Sequence, residues 1–254
     1  MLRIAFVGRK GGVGKTSLTV SVADELVQRG MNVLVLDLDP QANTTAWVGG
    51  GDPDSLTMND ALFAAGTDGA LDDVVRPSSW PGVFVAGAEE RLAEREADNV
   101  PARELRLRRL LRTADLSPYD AVLVDSPPSL GLLMLNALNA VDTAVVVTDS
   151  ERGGMAGVAR VLEAIDVVAE ESNPGLRVAG IVMNLADGRV AEHQARWEEL
   201  QEIHGDLVLG RLPKRAAVGT AYGASVPPRK VDGSLPFVMA LSDVVDHLVK
   251  ENAP

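Results

Sequence analysis

The sequence predicts one α/β domain over residues 1–254: a doubly wound, mostly parallel sheet flanked by helices. Three observations predict it. Seven apolar runs rich in Val, Ile and Leu recur along the chain, most without polar alternation, which suits strands covered on both faces. Helical patterns of crossover length separate them. A glycine-rich segment joins the first apolar run to the first helical one.

In order, Leu2–Gly8 reads as a strand and Ser17–Arg29 as the helix after it. Asn32–Asp39 is a second strand ending in two carboxylates. Trp47–Pro81, rich in Gly, Asp and Ser, breaks the rhythm and is expected to be a long functional loop. The alternation then resumes: strand Val83–Gly87, helix Ala102–Thr113, strand Ala121–Asp125, helix Leu132–Val141, strand Ala144–Asp149 and helix Gly157–Glu170. It continues with strand Val178–Asn184, helix Val190–Ile203 and strand Leu207–Leu212. Pro213–Pro236, with four of the 14 prolines, is expected to be a second long loop before a terminal helix over Val238–Glu251. Gly49–Gly51 is too short to be a domain linker, so one domain is the simplest account.

Composition narrows the function. With 254 residues, 46% of them hydrophobic, the chain can bury a core without a metal or disulfide staple. Zero cysteines remove disulfides, thiolate metal sites, cysteine nucleophiles and iron–sulfur clusters together. There is no secretory signal pattern and no long apolar span, so a cytoplasmic protein is expected. The 24 Lys+Arg against 36 Asp+Glu give a net charge of −12, which argues against indiscriminate attraction to phosphate backbones but is silent on where the charges sit.

The strongest local signal is Arg9-Lys10-Gly11-Gly12-Val13-Gly14-Lys15-Thr16-Ser17. Glycines let the backbone curl so that its N–H groups converge on a polyphosphate, and the helix start adds its dipole. Lys15 would reach the β- and γ-phosphates, and the Thr16 hydroxyl would be a Mg²⁺ ligand. The strict phosphate-loop pattern begins with glycine, whereas position 9 is arginine. With period two, Asp37 and Asp39 lean to one face at the mouth of the sheet, where open α/β sheets bind ligands. A turn cap before Pro40 is the plainer reading of that pair. Asp125 ends another apolar strand and would hold Mg²⁺ through water or through Thr16.

Lys10 to Thr16 resembles the deviant Walker A motif of the ParA/MinD superfamily of P-loop ATPases. Asp37-Leu38-Asp39-Pro40-Gln41-Ala42-Asn43 is similar to the ParA-type D-x-D-P-Q-x-N segment, and Asp125-Ser126-Pro127-Pro128 to its D-x-P-P. The resemblance implies a P-loop NTPase fold, ATP and Mg²⁺ as cofactors, and hydrolysis to ADP and phosphate. It implies that Lys10 reaches across a nucleotide-sandwich dimer to the other copy's phosphates, as an arginine finger does. It gives Asp39 the attacking water and the Mg²⁺ shell. It also implies that Asn184 hydrogen-bonds the adenine edge and that Pro213 opens a loop wrapping the base. Gly219-Thr220-Ala221 departs from the family's Ser-Glu-Ala step, and residues 207–231 hold no carboxylate with which to read guanine.

Within the superfamily, zero cysteines exclude the nitrogenase iron protein and thiolate-dependent relatives. Asp243, Asp246 and Glu251 against Lys250 in the terminal helix would repel anionic lipid, which disfavours a MinD-like membrane switch. The sequence most resembles the ParA/Soj type of DNA-partition ATPase. That type implies an ATP-dependent homodimer, nonspecific DNA, a ParB-like centromere-binding partner and association with the nucleoid. A nucleoid-based ATPase positioning a protein cargo, such as a carboxysome or chemoreceptor array, is the alternative. Nine residues before Lys10 leave no room for an N-terminal helix-turn-helix, so none is expected.

DNA contacts are expected in residues 207–231, which hold Arg211, Lys214, Arg215, Arg229 and Lys230 and no acid, and at Arg189, which matches a DNA-contacting arginine of the family. Scattered solvated arginines are the plainer reading of both. Arg103, Arg106, Arg108, Arg109 and Arg112 spread around one helix and read as a solvated face. His193 and His204 lack zincin spacing and read as solvent-facing.

Overall fold

Successive residues of each central strand serve two different cores. In β1 (Leu2–Val7), Leu2, Ile4 and Phe6 enter one hydrophobic cluster and Ala5 and Val7 the other. β2 (Val33–Asp37) and β5 (Ala121–Asp125) alternate in the same way, which is why these runs read as continuously apolar. The computed structural model describes residues 1–49, 55–151 and 153–251; Gly50, Gly51 and the rest of 50–54 lie outside the described residues.

In chain order the elements are β1, α1 (Lys15–Gln28), β2, α2 (Asn43–Val48), α3 (Met58–Phe63), β3 (Val75–Pro77), β4 (Val83–Ala86) and α4 (Arg106–Thr113). Then come β5, α5 (Leu132–Ala140), β6 (Thr143–Asp149), α6 (Gly154–Glu171), β7 (Arg177–Ala186), α7 (Ala191–His204), β8 (Val208–Pro213), α8 (Ala216–Gly223) and α9 (Leu235–Glu251). The sheet order is β3-β4-β2-β5-β1-β6-β7-β8, parallel throughout except for the β3–β4 pair. Helices α1, α2, α8 and α9 cover one face and α3 to α7 the other. Phe6, fully buried, lies under the first face, and truncating it to alanine costs about 3–5 kcal/mol.

The two expected loops are largely structured. Trp47–Pro81 contains the end of α2, α3 and β3. The start of α3 carries a local signal: the Thr57 hydroxyl accepts from the Asn59 amide at 3.2 Å and the Asp60 carboxylate accepts from the Thr57 amide at 2.9 Å. Met58, Ala61 and Leu62 then bury one face of that short helix. β3 is a three-residue antiparallel edge containing Pro77, too short to announce itself by alternation. Pro213–Pro236 contains α8, whose Ala- and Gly-rich sequence has little periodicity. Helix α4 begins at Arg106, later than expected, because Ala102 takes a left-handed conformation (φ 53°) and a 3₁₀ turn fills Arg103–Leu105.

The register gathers the acids. Phe6 of β1 and Asp37 of β2 both pair with Asp125 of β5, so the carboxyl ends of three central strands open onto one place.

Candidate nucleotide-binding site

Between β1 and α1 the chain turns at Gly12 (φ 79°) and Gly14 (φ 84°), left-handed conformations that favour glycine. Among the described residues no side chain caps α1, which leaves its first N–H groups for a ligand. These residues wall a cavity of about 440 Å³, in the range of small-molecule sites. Gly11, Gly12, Gly14, Lys15, Thr16 and Ser17 form its floor, and Asp39 stands at one side. The Val13 side chain instead points into the core, 2% exposed.

Lys15 is 5% exposed; burial lowers its pKa, and the Asp125 and Asp39 charges oppose that shift. Asp125 Oδ2 accepts from the Thr16 hydroxyl at 2.7 Å and the Thr44 hydroxyl at 2.8 Å. Among the described residues its Oδ1 is buried without a hydrogen-bond partner. Burial pushes Asp125 up to about 6, with the two hydroxyls and Lys15 pulling it back. A carboxylate with one orphaned oxygen beside a threonine hydroxyl fits a hydrated Mg²⁺ that also takes phosphate oxygens. Among the described residues no cluster of three or more His, Cys, Asp or Glu could hold a metal ion.

Asp37 and Asp39 divide their work. Asp37 is fully buried and accepts from the Thr45 hydroxyl at 2.7 Å, the Thr45 amide at 2.9 Å and the Asp39 amide at 3.1 Å. Burial, and next the Asp125 charge, push it up to about 7. It fixes the turn that presents Asp39 to the cavity. Asp39 Oδ1 accepts from the Gln41 amide at 3.0 Å.

Lys10 does not line this cavity. Its ammonium donates to Asp149 at 2.6 Å and to Glu151 at 2.5 Å, and the side chain stays 41% exposed. Those hydrogen bonds, Asp149 first, raise its pKa.

Asn184, expected at the base, lies beneath the phosphate loop and does not line the cavity. It is 3% exposed, and its amide nitrogen donates to the Val13 carbonyl at 3.0 Å and the Gly14 carbonyl at 3.4 Å. The cavity wall there is Leu185. Pro213 ends β8 beside Ala186, and it is Lys214 and Arg215 after it that reach the cavity.

The DNA candidates separate. Lys214 and Arg215 line the nucleotide cavity. Arg229 does not stand free on the surface: it ion-pairs with Asp24 of α1 at 2.7 Å. Arg189 is 89% exposed yet clasps Asp187 through Nε at 2.9 Å and a terminal nitrogen at 2.7 Å, holding that carboxylate well below the usual range. Arg211 lies over the Trp197 ring at 5.4 Å. In the α4 region, Arg103 and Arg106 bind the carbonyl and carboxylate of Asp98, so that cluster is partly structural. His193 Nδ1 accepts from the Asp187 amide at 3.0 Å.

The wall residues that sequence reasoning did not assign to the site include Asn43, Trp47, Leu185, Val218 and Tyr222. Tyr222 meets Trp47 edge-on at 5.2 Å and donates to Asn43 at 3.1 Å. Trp47 and Trp80 donate their indole N–H groups to the carbonyls of Val226 and Ser225, at 3.0 and 2.9 Å, tying the segment after α8 to α2 and to the connection between β3 and β4. Asn43 carried a signal as the last position of the D-x-D-P-Q-x-N segment.

Known proteins agree with this geometry. Residues 1–178 match the AAA domain family model AAA_31. The sporulation initiation inhibitor protein Soj of Bacillus subtilis is 33% identical over 208 residues, covering 81% of each chain. The chromosome-partitioning ATPase Soj of Thermus thermophilus is 33% identical over 88% of this chain and 86% of its own. Among solved structures, cobyrinic acid a,c-diamide synthase from Mycobacterium smegmatis with bound ADP and magnesium superposes with a TM-score of 0.81 at 27% identity, covering 99% of this chain and 95% of that one. By its sequence and its fold, the chain belongs to the ParA/Soj family of P-loop partition ATPases.

Proposed function

We propose that the protein is a Mg²⁺-dependent ATPase that pairs with a second copy when ATP is bound, holds nonspecific DNA as that dimer, and is released by hydrolysis. The observation that carries this reading is the division of labour between two lysines of one loop. Lys15 lines the cavity, whereas Lys10 leaves it and stands part-exposed against Asp149 and Glu151, a position suited to serving another copy's phosphates.

In the proposed reaction the N–H groups of Gly14 to Ser17 and the Lys15 ammonium hold the β- and γ-phosphates. Asp39 orients a water whose oxygen attacks the γ-phosphorus as the bond to the bridging oxygen breaks, giving ADP and phosphate. Lys10 of the second copy neutralises charge building on the transferred group, which makes turnover conditional on pairing. Thr16 and Asp125 would hold Mg²⁺, which would supply charge neutralisation to the phosphates. Lys214 and Arg215, beside the nucleotide, and Arg189, beyond it, are the cations a DNA backbone would meet; Arg229 is spent on Asp24. A ParB-like partner is proposed as the stimulator of hydrolysis, and the nucleoid as the place of action. The likeness to the Thermus chromosome-partitioning ATPase supports partition over other cargoes. Among the described residues no helix is long and apolar enough to cross a membrane.

The test is the ATPase rate with and without random-sequence duplex DNA at two salt concentrations, beside cosedimentation with anionic liposomes. DNA stimulation that fades with salt supports the reading. Lipid binding without DNA binding overturns it.

A further inference from the structure

Two short helices contribute walls to the nucleotide cavity, and a side-chain hydrogen bond joins them. Asn43 and Trp47 stand one turn apart on α2, and Val218, Gly219 and Tyr222 share one side of α8. The Tyr222 hydroxyl donates to Asn43 Oδ1 at 3.1 Å. Its ring meets Trp47 edge-on at 5.2 Å, and Trp47, 2% exposed, is backed by Trp80 at 6.5 Å and tied to the Val226 carbonyl. A buried frame therefore aims the hydroxyl. Because the Asn43 oxygen accepts from Tyr222, the amide nitrogen is the end left over. Among the described residues its two N–H groups have no acceptor, in a side chain that lines the cavity.

We propose that Asn43 is a phosphate-binding residue of the nucleotide site and that Tyr222 is the positioning residue that aims it. Held by its oxygen, the amide turns its N–H groups to a phosphate oxygen. The end it presents carries donors only, which suits an oxyanion. Its place agrees: Asn43 follows Asp39 across a turn closed by the Ala42 amide on the Asp39 carbonyl at 2.8 Å, and it shares the cavity with the floor formed by Gly11 to Ser17. Ala42 takes a left-handed conformation (φ 52°) in that turn, a strain of the kind kept where a ligand is met. A freed amide would rotate about its last torsion and offer its oxygen to the same phosphate, which repels it. Tyr222 prevents that exchange. This inference rests on the nucleotide reading above.

The test is calorimetric titration with Mg²⁺ and ATP, and with inorganic triphosphate read by competition, beside thermal melts. It compares wild type, Tyr222→Phe, Asn43→Asp, Asn43→Ala and the Tyr222→Phe/Asn43→Ala double variant. Tyr222→Phe keeps the ring against Trp47 and frees the amide, so both ligands should bind about three- to fivefold more weakly. In the Asn43→Ala background the same change should cost less than about 1.5-fold, because nothing remains to aim. Asn43→Asp keeps an acceptor for the tyrosine but turns a carboxylate oxygen on the phosphates. It should melt within about 3 °C of wild type and bind both ligands about tenfold more weakly. Wild-type affinity in Tyr222→Phe or in a folded Asn43→Asp overturns the proposal. ATP weakened with triphosphate unchanged also overturns it, since the amide then serves the base or ribose. So does a Tyr222→Phe effect undiminished by Asn43→Ala, which makes Tyr222 a prop for α8. If Asn43→Asp melts lower than that, Tyr222→Phe with and without Asn43→Ala decides. A wild type that binds neither ATP nor triphosphate refutes the nucleotide reading instead.

Discussion

The proposed reaction has Lys10 serve a second copy, which it cannot do while Asp149 and Glu151 hold it, so loosening that hold should quicken turnover. Asp149→Asn is the cleanest perturbation, because the amide oxygen can still accept from the Glu151 N–H, now 3.2 Å from Asp149 Oδ1, while the charge is lost. Asp149 is 6% exposed and Lys10 41%, which places the pair between a surface ion pair, worth about 0.2–1 kcal/mol, and a buried one, where losing one partner costs about 3–5 kcal/mol. Solvent screening on the lysine side argues for about 1 kcal/mol, and RT converts that to about a fivefold rise in free Lys10. Glu151 remains as a second acceptor, so basal ATPase without DNA or partner should rise about three- to fivefold. Salt should move wild type toward the variant, since the pair is partly screened. A folded Asp149→Asn protein with an unchanged or slower basal rate would refute the reasoning, and Lys10→Ala should abolish hydrolysis in either background.

The remaining predictions concern DNA, pH and packing. Arg189→Ala should weaken nonspecific DNA binding and reduce its salt slope by about one, whereas Asp187→Asn, which unclasps the guanidinium, should tighten it; retardation assays across salt read both. Burial raises Asp37 to about 7 from its ordinary 3.8, so the folded state binds a proton the unfolded chain has already lost. Its contribution is therefore complete below about pH 4 and lost as pH rises through about 7. Thermal melts in magnesium- and nucleotide-free buffer should fall more steeply from about pH 5 to pH 8 in wild type than in Asp37→Asn. Trp47→Phe and Trp80→Phe should each lower stability by about 1 kcal/mol in urea unfolding, since each leaves a carbonyl after α8 without its indole donor.

The central strands were legible because burial on both faces removes polar alternation, and the phosphate loop because glycine, lysine and threonine spacing is itself the chemistry. Strand β3 was illegible for the opposite reason: three edge residues with a proline carry no pattern. Helix α3 could have been read from Thr57 and Asp60, whose capping box is local. Asn184 shows the limit on the site side. Its type and its strand-end position were readable, but its direction depends on Leu185 and on a register shift between β7 and β8, which only the folded sheet expresses. Arg229 shows the same dependence: a segment without acids reads as uniformly cationic, and the ion pair to Asp24 of α1, distant in sequence, is expressed only in the fold.

The most direct test of the account is the solution mass of the Asp39→Ala variant with Mg²⁺ and ATP, against ADP, with DNA retention measured on the same samples. A switch of this kind gives twice the 26.8 kDa chain mass with ATP, one chain mass with ADP, and DNA retained only by the dimer. A single chain mass under both nucleotides, or DNA held equally without nucleotide, would contradict it.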